Sequence, residues 1–333
     1  MRTPLYPLLF EPVYKDYLWG GDRISKRYGR RTGHRTCAES WEIADRPEGM
    51  SRVINGSLRG RTLHELVARL GARLLGSAGV ARARASGDRA FPLLVKLIDA
   101  SQRLSLQVHP DDRRAHRVGG QPKTEMWYIL GAEPGSQIFA GLRPGTGPAE
   151  FHEAIAQGTV LRLVYAMPAL PGRAFYIPGG RIHAIGEGCL LLEIQQNSHT
   201  TYRVHDWGRV DRDGRPRELH LDKAIPVINW KDRPAHPIRP VQVRRSRTGN
   251  TYDRIVRSGH FHVMRLRLRS PEPVANGGRS FHAYFVESGR VRAEANGFSA
   301  DLAPGQSVLL PAAVARYRLS PLAGGAVLIR ATL

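Results

Sequence analysis

The run from Ser105 to Tyr128, SLQVHPDDRRAHRVGGQPKTEMWY, carries the residue types with the most chemistry to offer. Gln107 and His109 alternate with Leu106 and Val108, and a β-strand of period 2 points both polar residues to one face. Lys123 and Glu125 are also two apart and share a face if the apolar run MWYILG begins its strand that early. Further along, GRAFYIPGGRIHAIG reads as a short strand, a Pro-Gly-Gly turn and a return strand bearing His183. Gln107, His109, Glu125 and His183 together are a metal-ligand set. Zinc accepts imidazole nitrogen and carboxylate oxygen at about 2.0 to 2.2 Å. With a neutral Gln oxygen as fourth donor, most of the ion's charge stays uncompensated, which makes a strong Lewis acid. The lack of Cys in the set points to a catalytic metal, and Mn, Fe, Co or Ni suit similar ligands.

These residues need elements to position them. FPLLVKLIDA (91 to 100) is a nearly continuous apolar run with one lysine and reads as a buried strand leading to the metal face, Lys96 lying there or capping the barrel. RTLHELVARLGARLL (61 to 75) spaces Leu63, Leu66, Val67, Leu70 and Leu74 as an amphipathic helix with Thr62 as N-cap. Ser77 to Arg89 shows no packing pattern and reads as a surface excursion. EFHEAIAQG predicts a short helix ending at Gly158. CLLLEIQQ and TTYRVHDW read as two strands joined by a turn at Asn197-Ser198. Prolines and charges after residue 230 read as a connector, and residues 259 to 333 hold short alternating strands. In HVMRLRLRS, Arg265, Arg267 and Arg269 fall on one face, which reads as solvated rather than ligand-binding.

At 333 residues and 41% hydrophobic, the chain is long enough for one large globular domain or two modest ones. The opening segment is broken by Pro4 and Pro7, too short for a signal or a membrane span, so a soluble cytoplasmic protein with no membrane partner is expected. Cys37 and Cys189 lie in separate apolar contexts and read as reduced core residues. The formal charge is +21, yet only six of the 50 basic residues are lysine and the arginines are scattered. No aromatic platform or reading helix accompanies them, so a nucleic-acid partner is not expected, whereas a local basic cleft suits an anionic sugar phosphate.

The segment Gly172, five residues, Pro178, one residue, Gly180, two residues, His183 reproduces the second cupin signature, and Gln107-x-His109 with Glu125 and Gly131 resembles the first. Together with PVYKDYLWGG, AESWEIADRPEG, LSLQVHPDD, KTEMWYIL and EIQQNSHTTYRVHDWGR, collinear over most of residues 5 to 230, the chain resembles the type I phosphomannose isomerases in their short bacterial form. The fold this implies is mainly β: two cupin-like (jelly-roll) β-barrels with a few short helices. Residues 1–238 would form the catalytic metal-binding domain and 239–333 a smaller, degenerate cupin-like β domain. In the latter, Gly305 and Pro311 repeat the spacing, but Arg316 stands at the ligand position and Ala313 at that of the turn glycine.

The resemblance implies one Zn(2+) per chain and the interconversion of mannose 6-phosphate and fructose 6-phosphate, with a monomer or dimer equally open. Arg203, ten residues after Glu193, matches the family's catalytic arginine; guanidinium stays protonated, so its role is charge stabilisation and positioning. The proton-transferring base is left among Lys123, Glu193 and a metal-bound water. Trp19, Glu39 and Ser105 are the implied substrate-pocket residues, with Lys123, Arg203 and Arg209 as phosphate holders. His199 departs from the family's Ser-Asp pattern, which leaves room for a non-catalytic sugar-phosphate-binding cupin or an isomerase acting on another sugar.

Overall fold

A computed structural model describes residues 4–210 and 213–333. Contacts gather them into two compact units. One comprises Tyr14–Ser40 and Lys96–Ile238; the other holds the chain up to Val13, Trp41–Val95 and Arg239–Leu333. The junction at Ile238 and Arg239 is thus one boundary among several.

The unit of Lys96–Ile238 is built on two antiparallel sheets. The five-stranded sheet runs in the order Val164–Pro168, Gln137–Leu142, His183–Ile185, Leu106–Val108, Tyr202–His205. The other orders Ala174–Ile177, Glu125–Ala132, Cys189–Gln196 and then Leu93–Ala100, Glu39–Ile43 and Val13–Lys15, three strands that each straddle a unit boundary. Alternation decides what faces where. Leu106, Val108, Ala184 and Val204 pack with Phe151, Ala154, Ala224 and Val227 from the helices Pro148–Ala156 and Leu221–Val227. Gln107 and His183 therefore turn the other way, inward. There Trp127, Ile129, Phe175 and Ile177 of one sheet meet Ile138, Ala140 and Ile185 of the other. Each buried side chain of this kind contributes about 1.5–3 kcal/mol.

The two paired readings at His183 and at Asn197-Ser198 are corners, not hairpins. Ile177 pairs with Glu125 in one sheet, whereas His183 pairs with Ala140 and Gln107 in the other. Likewise Gln195 pairs with Glu125, and Tyr202 with Val108. Each turn carries the chain from sheet to sheet, as a jelly roll requires. At the first corner Arg181 N donates to Pro178 O (3.2 Å) and Gly180 N to His109 O (2.7 Å). Gly180 has φ +88°, which favours glycine, and a Cβ there would be tight against Val227 O at 3.1 Å.

In the second unit, one sheet runs Val241–Arg245, Thr251–Arg257, His262–Leu268, Arg316–Thr332, His282–Ala295, Phe298–Leu302. Ser307–Leu310 pairs with His282–Ala295, and its corner repeats the first: Val314 N donates to Pro311 O (2.9 Å), and the next strand begins at Arg316, five residues past the proline. Among the described residues only Trp207 and Asn296 are non-glycines of positive φ, so Ala313 turns here without the left-handed conformation of Gly180. Thr62 and Glu65 close a capping box on the helix Leu63–Leu70. The helix expected over 61 to 75 divides at Gly71, and most of the excursion expected from Ser77 to Arg89 is instead helical, in Ala72–Ser86, which is broken at Gly76. Among the described residues no helix is long and apolar enough to cross a membrane.

Candidate metal centre

Four of the expected residues converge in the first unit. Strand pairing sets His183 opposite Gln107, and His109 lies one residue past the same short strand. Glu125 opens the facing strand. His109, Glu125 and His183 are buried, and one ligand atom from each lies within 4.8 Å of the others. His183 Nδ1 donates to Arg181 O (2.8 Å), so its Nε2 presents a lone pair 3.4 Å from Glu125 Oε1. Two acceptors face each other there, and Oε1 has no hydrogen bond among the described residues. Gln107 completes the ring: its amide nitrogen is 3.3 Å from His183 Nε2, and Ser105 Oγ donates to its oxygen (3.2 Å). Exchange of the amide oxygen and nitrogen would turn Oε1 inward at little cost, since Ser105 can also accept. Buried acceptors that outnumber the donors beside them are what a cation satisfies.

Lys123 already supplies one positive charge. Its backbone N donates to Pro110 O (3.0 Å), and its Nζ lies 3.1 Å from His109 Nε2 and 2.9 Å from Glu125 Oε2. Burial and then the Lys123 ammonium push His109 well below the usual histidine range. Burial likewise lowers His183. For Glu125, burial acts upward, but Lys123 and His183 outweigh it and hold the carboxyl below its ordinary value. The set is thus a carboxylate between two neutral imidazoles, the protonation states a metal needs.

Behind this ring sits a cluster that sequence reasoning only touched. Lys96 Nζ is 2.8 Å from Glu193 Oε2 and 3.3 Å from both oxygens of Glu39, all three side chains being at most 9% exposed. Trp127 Nε1 donates to Glu193 Oε1 (2.7 Å), and its ring packs edge-on against His183. Burial acts to lower the Lys96 ammonium, but Glu193 and then Glu39 raise it above the usual lysine range. Gln195 stands opposite Glu125 in register and donates to Gln196 O and Ser198 O, with its Oε1 left unpartnered. The legible signal for Lys96 was a lysine inside a nearly continuous apolar strand, and a buried ammonium has to be paired. Nothing local marked Trp127, whose partner Glu193 lies on a strand distant in sequence, or Gln195, which strand register alone sets opposite Glu125.

The remaining expected residues divide. Arg203 pairs with Gln107 in register and so shares its face; Nη1 donates to Glu218 O (2.7 Å), while Nε is buried with no hydrogen-bond partner among the described residues. Burial and the neighbouring Arg217 lower its pKa. Arg209 is committed elsewhere: to the Asp206 carboxylate and to Arg103 O (2.6 Å). Trp19 is buried in the apolar cluster with Trp127 and Ile177. His199 is exposed on its turn. A separate cavity of about 380 Å³ is lined by Arg23, Lys26, Arg27 and Glu133, with Arg23 locked to Asp99 at 2.6 Å, and it holds none of this chemistry.

Residues 8–130 match the profile of the phosphomannose isomerase type I catalytic domain. The mannose-6-phosphate isomerase ManA of Bacillus subtilis is 42% identical over 224 residues, 67% of this chain and 68% of that protein. The mannose-6-phosphate isomerase of Streptococcus mutans is 39% identical over 223 residues, 67% of each chain. The crystal structure of the mannose 6-phosphate isomerase from Bacillus subtilis superposes with a TM-score of 0.87 at 30% identity, covering 99% of this chain and 100% of that one.

Proposed function

The chain belongs to the type I phosphomannose isomerase family, and we propose that it interconverts mannose 6-phosphate and fructose 6-phosphate at one zinc held by Gln107, His109, Glu125 and His183. The observation that supports this reading best is the buried meeting of one ionised carboxylate with two neutral imidazole nitrogens around a single point. Zinc, when bound, supplies Lewis-acid charge for the oxygens of an enediol-type intermediate.

The chain's own groups do the rest. Lys123 Nζ, beside the ligands, is our assignment for the group that carries the proton moved between C1 and C2. Glu193, clamped by Lys96 and Trp127, offers a fixed carboxylate to sugar hydroxyls. Arg203, on the Gln107 face, stabilises developing negative charge and orients the substrate. Trp19, Glu39 and Ser105 are assigned to the substrate pocket. A phosphate role for Arg209 requires it to share its guanidinium with Asp206. Residues 1–238 would supply the catalytic, metal-binding part and 239–333 a cupin-like part whose corner carries Arg316 in the ligand position.

The test is a coupled assay with mannose 6-phosphate, glucose 6-phosphate and free mannose in parallel, before and after chelation, with elemental analysis. Turnover of mannose 6-phosphate alone is expected, lost with one metal equivalent per chain and restored by zinc. A folded variant carrying His109→Ala and His183→Ala should hold no metal. Full activity in protein shown to contain none would overturn the mechanism.

A further inference from the structure

The second unit carries a recess of about 210 Å³ lined by Gln242, Arg245, Gly249, Thr251, Arg267 and Arg269. None of these residues belongs to the unit that holds the metal-type ligands. Register builds it: Arg245 is opposite Thr251, and Thr251 is opposite Arg267, so two guanidinium groups flank a hydroxyl in one row across three strands. The next row sets Gln242 opposite Asp253 and Asp253 opposite Arg265. The Asp253 carboxylate is already shared by Arg265 (2.8 Å) and Arg267 (3.2 Å). The lining itself is composed of donors: three guanidinium groups, an amide and a hydroxyl, with no carboxylate. Thr251 Oγ1 is buried and has no hydrogen-bond partner among the described residues.

Like charges gathered around an unsatisfied hydroxyl call for an anion with several oxygens. A guanidinium fork spans two oxygens of a tetrahedral oxyanion, and a hydroxyl donates to a third. The recess is smaller than the roughly 300 Å³ at which pockets begin to enclose whole ligands, so it fits a phosphate group whose remainder stays in solvent. No aromatic side chain lines it, as stacking on nucleic acid would require. We propose that this recess binds a phosphate group, from inorganic phosphate or from a small phosphomonoester. The arginine face that reads as solvated in sequence is in this reading a ligand site.

A substrate pocket that takes a sugar phosphate also binds phosphate, so the test compares full-length proteins that differ only in the recess. Inorganic phosphate, and separately glycerol phosphate, is titrated calorimetrically at fixed ionic strength into the natural protein. The same is done with Arg245→Gln/Arg269→Gln, Thr251→Val and a control of equal charge change at exposed positions, Arg316→Gln/Arg318→Gln. We expect the natural protein and the control to show, beside binding at the substrate pocket, a second phosphate-binding class that weakens about a hundredfold in the double arginine variant. The Thr251→Val variant should weaken it about tenfold, with isomerase turnover unchanged. Binding of glycerol phosphate alone would assign the site to phosphomonoesters. Identical isotherms in all four proteins, or an equal loss in the control, would overturn the proposal. Should the double variant not fold, an unchanged Thr251→Val isotherm overturns it alone.

Discussion

At the residue scale, the metal-type ligands were legible because their chemistry is written in their own identities and in a turn of fixed spacing. Arg203 was legible only through resemblance, and the structure adds the physical reason that it could act: it stands opposite Gln107 with a buried Nε that has no hydrogen-bond partner among the described residues. Replacing Arg203 by Ala should lower kcat by about 10²-fold or more while the metal stays bound. Elemental analysis beside steady-state kinetics checks this, and an unchanged kcat removes Arg203 from the chemistry. Lys96 shows what could not be read. Its place in a buried strand was evident, but the carboxylates of Glu39 and Glu193 reach it from strands 57 and 97 residues away. Lys96→Met would leave two buried carboxylates without their cation, and breaking such a pair costs about 3–5 kcal/mol. Chemical denaturation should show a loss of this size, and a loss below about 1 kcal/mol would mean that the pair is not held as the structure has it.

At the scale of elements, periodicity found those whose faces differ and missed those whose packing depends on smallness. The helix Leu63–Leu70 has an apolar stripe and a capping box, and its start was readable at Thr62. The helix Ala72–Ser86 has no capping box, and past its buried Leu74 and Leu75 the sequence GSAGVARARAS is mostly small residues and arginine. What sets it is close approach. Gly76 has φ +78° and ψ 177°, and a Cβ there would lie 2.4 Å from the carbonyl oxygen of Arg279. That backbone region is essentially confined to glycine, at a cost of about 1–3 kcal/mol for other residues before any clash. Gly76→Ala should therefore lower the unfolding midpoint by several degrees, read by calorimetry, whereas a variant as stable as the parent would show that the break is not required. The corners at Pro178 and Pro311 illustrate a different limit. The spacing of each was visible, but which sheet receives each strand depends on pairings that no local pattern contains.

Across the whole molecule, the mainly β architecture and the repeat of one corner in both units follow from strand alternation and turn chemistry, while the grouping of distant segments into units does not. One consequence of burial reaches the stability of the chain as a function of pH. His282 is enclosed in the second unit, its Nδ1 paired with the Tyr317 hydroxyl. Burial, and then the charge of Arg330, push its pKa down to about 3. Above the ordinary histidine value of about 6.5 the ring is neutral both folded and unfolded, and the neutral core contributes fully. As pH falls below that value the unfolded chain binds a proton while the folded one does not, until about pH 3. Stability therefore falls with falling pH across this window, by at most about 1.4 kcal/mol per unit from this one group. His282→Gln removes the titration. Other histidines whose pKa values are lowered, His109 and His183 among them, contribute equally to both proteins. Thermal unfolding from pH 7.5 to 4 should thus find the natural protein losing stability more steeply than the variant, so that the difference between them moves in the variant's favour with each unit of acidification. Parallel curves over that range would mean that His282 titrates in the folded chain as it does in water.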